Sequence, residues 1–461
     1  LKPRGPRRAV APRASRASVS GGAVPPPPRA RRWAKAEMSR ASRVFVVGGH
    51  TTPFLGKGHP NFIWKKHPDF GKRDNPSLKE LIVTSVQGAL RSVGQKPLPA
   101  SLIDRAYVGN FAGELFNQQG HLGSALAAAD SAFMYKPSMR IEGACASGGL
   151  AVAAAVDALR GGSGDLALVA GAEQQTTVSA RDGGLFLARA ADFARQSSID
   201  DFTFPCLLAR RTKHYADRFK DFTVDDLCPI VEKAYANGNK NPNAHMTAVK
   251  IDASKAKVSD KNPNFLTNSE FAPYCRLTDC SQVSDGASAI VLANEEGLKK
   301  AGIDESSCVE VLQCDWGCGN LYEDPADFTV MDTAKAVVAR VYQQAGIQVS
   351  DLGVAEVHDC FSIAELLMYE AIGLAEHGKG AAVCKDGITH LDGKLPVNTG
   401  GGLLSFGHPV GATGVKQIHE IYRQMKGQCG DYQIKKRPEL GLSVNMGGDD
   451  KTIVATALKN C

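Results

Sequence analysis

Four side chains in this sequence could generate and use a thiolate. Cys145 lies in E-G-A-C-A-S-G-G, between small residues and directly before an Ala-rich helical run. Small neighbours leave room for a substrate carbonyl, and the unpaired N–H groups of a helix start favour thiolate and oxyanion alike. His408, in G-H-P-V-G-A-T-G, precedes Pro409, a residue suited to the first turn of a helix. An imidazole beside a thiol is a standard route to thiolate near neutral pH. His358 and Cys360 share H-D-C-F, and in an extended segment residues i and i+2 face the same way, which turns Asp359 to the other side. One imidazole and one thiol together supply an oxyanion donor and a titratable acid/base. N-M-G-G-D-D (445–450) adds uncovered backbone N–H groups at Gly447 and Gly448, suited equally to a second oxyanion hole and to a hairpin turn. Taken singly, Cys145 reads as well as a packing thiol, and His408 reads better as a capping histidine.

The elements that must position these residues alternate between strand and helix. V-F-V-V-G-G (44–49) is a buried-strand run, and 77–94 carries apolar residues at helical spacing, with Ser77 as cap and Gly94 as stop. Strands are expected at I-D-R-A-Y-V-G-N, M-R-I-E and L-A-L-V-A-G-A-E, with a tight turn and a helix after M-R-I-E. After about residue 308 the scheme repeats: strand, helix, a strand ending at H-D-C-F, helix, the His408 turn and a helix, then two strands joined at G-G-D-D. Each half places a Gly-flanked reactive residue where a helix begins, which suggests an internal duplication with one shared site. That mirrored placement favours chemistry for Cys145 and His408. Residues 176–278 break the alternation and read as an insertion covering the face where the turns meet.

Composition sets the class. At 461 residues, 43% hydrophobic and 22% charged, the chain is long enough for more than one core and globular in balance. No run approaches the roughly 18 apolar residues a membrane span needs. The net charge of +6 belongs to one end: residues 1–37 hold ten Lys or Arg against one acid, leaving 44 basic and 47 acidic side chains in the rest. The body therefore has no nucleic-acid footprint. The arm, rich in Arg, Ala, Ser and Pro, reads as a transit segment or a disordered extension. Twelve cysteines without paired C-x-x-C sets read as thiols in a reducing compartment, with no metal site expected.

Together, C-A-S-G-G around Cys145, S-D-G-A-S at 284–288, H-D-C-F at 358–361, N-T-G-G-G at 398–402 and G-H-P-V-G-A-T-G at 407–414 resemble the thiolase superfamily. The resemblance runs from about residue 42 to the C-terminus and is strongest to the sterol carrier protein 2 type, because H-D-C-F stands where other thiolases usually carry N-E-A-F. It implies an α/β thiolase fold: duplicated βαβαβαββ halves in five αβαβα layers with an inserted loop domain. The implied organisation is an extension over 1–41, an N-terminal half over 42–175 plus 279–303, a CoA-binding loop domain over 176–278 and a C-terminal half over 304–461.

What the resemblance implies for chemistry is thiolytic cleavage of a 3-ketoacyl-CoA by CoA, in fatty acid or sterol side-chain degradation. Cys145 would be the nucleophile and His408 its base. Asn445 stands where ordinary thiolases carry a second cysteine, and Cys360 would replace that cysteine as acid/base. His358 would take the place of an asparagine in the first oxyanion hole, Gly447 would give an N–H to the second, and Ser281 would contact pantetheine. CoA would be a substrate, with no cofactor bound permanently; 3-ketoacyl-CoA and acetyl-CoA would be the other partners, and a homodimer is expected. The sequence ends directly after its closing strands, so no lipid-carrier domain is expected. L-K-N-C is not a peroxisomal S-K-L-type ending, which with the basic arm favours a mitochondrial location over a peroxisomal or cytoplasmic one. Alternative readings are a ketoacyl-synthase-type condensing enzyme, and a thiolase-like protein that binds acyl-CoA or lipid without turnover.

Overall fold

Strands that are apolar at every position need cover on both faces, and that requirement sets the architecture. The structure, a computed structural model, describes residues 42–461; the expected transit or disordered arm over 1–41 lies outside the described residues. Its strands are β1 (Val44–Thr51), β2 (Arg105–Gly109), β3 (Ser138–Ile141), β4 (Leu166–Glu173), β5 (Gly286–Asn294), β6 (Val309–Cys318), β7 (Val354–Glu356), β8 (Leu440–Gly447) and β9 (Thr452–Asn460). They form one nine-stranded sheet in the order β3-β2-β4-β5-β1-β6-β9-β8-β7.

That order contains the duplication. Outward from the β1–β6 junction, the first half runs β1-β5-β4-β2-β3 and the second β6-β9-β8-β7. In both, the first three contacts after the junction strand follow the same pattern of two antiparallel pairs and then a parallel one. The place of a fifth strand in the second half holds only a parallel bridge between Ala355 and Val397. Asn398 explains the shortening: its φ of +55° turns the chain, and its side chain, rather than a strand neighbour, accepts the N–H of Val357 at 2.9 Å.

The helices used below are α1 (Leu78–Ser92), α2 (Ser147–Arg160), α3 (Thr203–Arg218), α4 (Cys228–Gly238), α5 (Asp332–Ala345), α6 (Ser362–Ala371) and α7 (Thr413–Lys426). α1 starts where Ser77 predicts, with a capping box in which the Ser77 side chain accepts from Glu80 N. Phe45 and Val47 of β1, with Leu168 and Val291, pack against Leu81, Ile82 and Val86 of α1. The opposite face, Val44, Val46, Val169 and Ile290, enters a second core with Val152 and Val156 of α2 and Val415, Ile418 and Ile421 of α7. β9 divides likewise: Val454 and Leu458 join that central core, whereas Ile453, Ala455 and Ala457 face Val337 and Val341 of α5. The result is the expected five layers, with α2 and α7 sandwiched between the two halves.

Candidate active site

The reactive turns meet because α2 and α7 start against each other, glycine to glycine. A Cβ on Gly148 would lie 2.7 Å from Gly411 O, and one on Gly414 would lie 2.2 Å from Gly149 N. Side chains there would force the helix starts apart. Cys145 occupies the turn before α2, after Ala144, whose φ of +53° is a strained value for a residue with a Cβ. His408 leads into the turn before α7, its backbone N–H donating to Ser284 Oγ at 3.2 Å. The thiol of Cys145 and one ring nitrogen each of His358 and His408 lie within 4.8 Å of one another, and the two imidazoles meet edge to face at 5.1 Å between centroids.

Alternation outlasts the strand that carries it. β7 ends at Glu356, yet His358 faces the thiol while Asp359 turns the other way and accepts from Leu403 N at 2.6 Å. Cys360 is buried close enough for Cys145 and Asp359 to raise its thiol pKa beyond what burial already does. Ser281 does not enter this cluster through its side chain; its backbone N–H donates to Cys360 O at 2.9 Å, next to a bridge between Cys280 and Phe361.

Electrostatics make the site a neutral pair at rest. Burial pushes the Cys145 thiol up to about 12, with Glu173 and Glu142 adding to the rise and the backbone N–H of Gly448 opposing it. Burial lowers His408 to about 3, and burial followed by the charge of His408 lowers His358. Besides the N–H of Cys145 itself, the backbone N–H that lowers the thiol is that of Gly448, one residue beyond Gly447. Gly447 has a different structural part: a Cβ there would lie 2.2 Å from Gly143 O, so its bareness lets β8 close on the Cys145 turn.

Several residues here carry no functional signal in the sequence. Glu173 is fully buried at the end of β4, accepting from Asn110 Nδ2, Phe111 N, Ala112 N and Gly411 N at 2.9 to 3.1 Å. Burial holds its carboxyl up to about 7 against those donors. A lone acid closing an eight-residue apolar strand was the available sign. Asp285, of S-D-G-A-S, accepts from Gln175 N and Thr176 N and so fixes the start of the insertion. The insertion in turn grips the site loops: Arg211 of α3 pairs with Asp449, Lys233 of α4 pairs with Glu365 of α6, and Asn237 donates to Asn398 O. Among the described residues, the Cys145, His358 and His408 group is the cluster with a metal-type donor set.

Comparison with known proteins follows this geometry. Residues 67–263 match the family "Thiolase, N-terminal domain", and residues 320–460 match "Thiolase C-terminal domain-like". An acetyl-CoA acetyltransferase of Methanothermobacter thermautotrophicus is 31% identical over 383 residues, spanning 83% of this chain and 94% of the relative. Sterol carrier protein 2 of Homo sapiens is 27% identical over 435 residues, spanning 89% of this chain and 71% of the relative. Among solved structures, the Ltp2-ChsH2(DUF35) aldolase superposes with a TM-score of 0.71 at 18% identity, covering 91% of this chain and 98% of that one. On the family match and on identity across most of both lengths, this chain belongs to the thiolase family.

Proposed function

We propose that the protein is a CoA-dependent 3-ketoacyl-CoA thiolase of the sterol carrier protein 2 type. The observation that carries this reading is the convergence of Cys145, His358 and His408 within 4.8 Å, with the Cys360 thiol buried near enough for Cys145 to raise its pKa. His408 takes the Cys145 proton as sulfur attacks the 3-keto carbon of the substrate. The C2–C3 bond breaks, its electron pair passing to the acetyl-CoA enolate, whose oxygen is held by His358 and His408. Cys360 protonates the enolate carbon and then takes the proton of incoming CoA, whose sulfur attacks the Cys145 thioester. Backbone N–H groups of Cys145 and of the 447–448 turn hold the tetrahedral oxyanion. A neutral thiol beside a neutral imidazole suits proton transfer concerted with attack.

Ser281, tied by its backbone to Cys360, is a pantetheine contact in this reading, and the insertion supplies the CoA-binding surface. The homodimer is proposed on β3, which ends the sheet with a single neighbour and leaves Met134, Tyr135 and Met139 exposed, a second copy being the partner that would cover them. Fatty acid or sterol side-chain degradation in mitochondria remains our proposal for its setting; fusing residues 1–41 to a fluorescent reporter would test the address. The test of function is CoA-dependent loss of acetoacetyl-CoA and of a long-chain 3-ketoacyl-CoA, with wild type and Cys145→Ala in parallel. Turnover that disappears in the variant is expected, and the ratio between substrates gives the chain-length class. A folded protein that binds CoA and turns over neither would overturn the reading in favour of a non-catalytic binder.

A further inference from the structure

His358 and His408 present the same atom to the site, a buried Nε2 with no hydrogen-bond partner, yet their other ring nitrogens are held by opposite chemistry. Behind His358 stands Asn445. Its amide is oriented by two backbone groups: Oδ1 accepts from Gly149 N at 3.2 Å and Nδ2 donates to Cys145 O at 3.0 Å. The same Nδ2 lies 3.2 Å from His358 Nδ1. An amide nitrogen offers only protons. His358 Nδ1 must therefore present its lone pair, and the neutral ring carries its proton on Nε2. Behind His408 stands Thr413, whose Oγ1 lies 2.7 Å from Nδ1. The single hydroxyl proton has the Pro409 carbonyl oxygen at 3.2 Å to receive it, so the oxygen accepts Nδ1–H and leaves the lone pair on Nε2.

We infer that Asn445 and Thr413 are positioning residues that lock the two histidines in opposite tautomers, making His358 Nε2–H a fixed oxyanion donor and His408 Nε2 the base for Cys145. The catalytic meaning rests on the thiolase reading; the tautomers rest on the hydrogen bonds alone. The tautomers also bear on what else a thiol and two imidazoles this close together could do. They are a three-ligand set with suitable donor types, but a proton on His358 Nε2 removes one of the three. Asn445 thus separates a catalytic pair from a metal trap with the same side chains.

The experiment uses the full chain with 15N-labelled histidine, reading tautomers by NMR at neutral pH, with signals assigned through His358→Gln and His408→Gln. In the wild type His358 should be protonated at Nε2 and His408 at Nδ1. Asn445→Asp puts a carboxylate opposite His358 Nδ1, which should move that proton to Nδ1 and leave His408 unchanged. Loss of the oxyanion donor should lower kcat for thiolysis about 100-fold with KM held within about twofold. Inhibition by zinc ion should tighten at least about tenfold, since the third ligand is then free. A wild-type His358 protonated at Nδ1 overturns the inference even if the variant fails to fold. An Asn445→Asp protein that loses kcat with its tautomers unaltered also overturns it. A wild type that shows the opposite tautomers but no thiolysis leaves the inference standing and sinks the thiolase reading instead.

Discussion

The two halves place a polar pair at matching strand ends and use it in contrary ways. In the first half Asn110, after β2, donates to Glu173 at the end of β4, and the carboxylate oxygens are filled by three backbone N–H groups, one of them from Gly411 of the other half. In the second half His358, after β7, meets Asn445 near the end of β8, and Nε2 of the ring is left without a partner. Buried polar groups are nearly always satisfied, and the pair that breaks the rule is the one the proposed mechanism opens to substrate. The satisfied pair clamps the turns of both halves together. The unsatisfied one works on what they enclose.

The largest effect that would test this division is Cys145→Ala, expected to lower thiolysis by about 10⁴-fold or more while CoA binding persists, measured by steady-state turnover and calorimetry. Retained turnover would remove the thiol from its assigned place. Cys360→Ala comes next, with a loss of about 10² to 10⁴ in rate as befits one acid/base group; full thiolysis in this variant would mean that the second proton is handled elsewhere. On the clamping side, Lys233→Met leaves the fully buried Glu365 without its cation, the Tyr369 hydroxyl being its remaining donor, and should cost about 3 to 5 kcal/mol in denaturant unfolding. A cost under about 1 kcal/mol would show that the insertion does not hold α6 through this pair.

The smallest effect is in acid. His408 is lowered from 6.5 to about 3 in the folded chain, so the unfolded chain binds the extra proton between those values. The stability this contributes is complete above 6.5 and is lost as pH falls toward 3, on the order of a few kcal/mol. Glu173, raised from 4.5 to about 7, works with the opposite sign, favouring the folded state at the acid end of its window and losing that advantage as pH rises through 7. Melting temperature followed from pH 4 to 8 should therefore rise less steeply between 4 and 6.5 in His408→Gln than in the wild type, and in Glu173→Gln should lose the downward contribution between 4.5 and 7. Parallel curves for all three proteins would contradict both assignments.

Much of this is legible in the sequence. The buried-strand runs, the Ser77 cap and the strand–turn–helix units are local patterns, and local patterns survive in the fold because neighbouring residues along the chain decide them. The repetition of two Gly-flanked turns announced the duplication. Gly447 and Gly448 show the limit: both offer a bare N–H in the sequence, and only the packing of the β8–β9 turn on the Cys145 turn brings the Gly448 N–H to the thiol. Ser281 shows it again, reaching Cys360 through its backbone rather than its side chain.

Chain order alone sets the reactive types, their sequence, and the helices and strands that end beside them, since each depends on residues within a turn or two. Which ring nitrogen carries a proton, and which carboxylate is buried to hold the turns, follow from contacts made after folding. Those outcomes depend on Asn445 meeting His358 across 87 residues and on Glu173 meeting Gly411 across 238. No local periodicity encodes such a meeting, because it is set by how closely two helices can approach when the facing positions of their first turns, Gly148, Gly149 and Gly414, are bare.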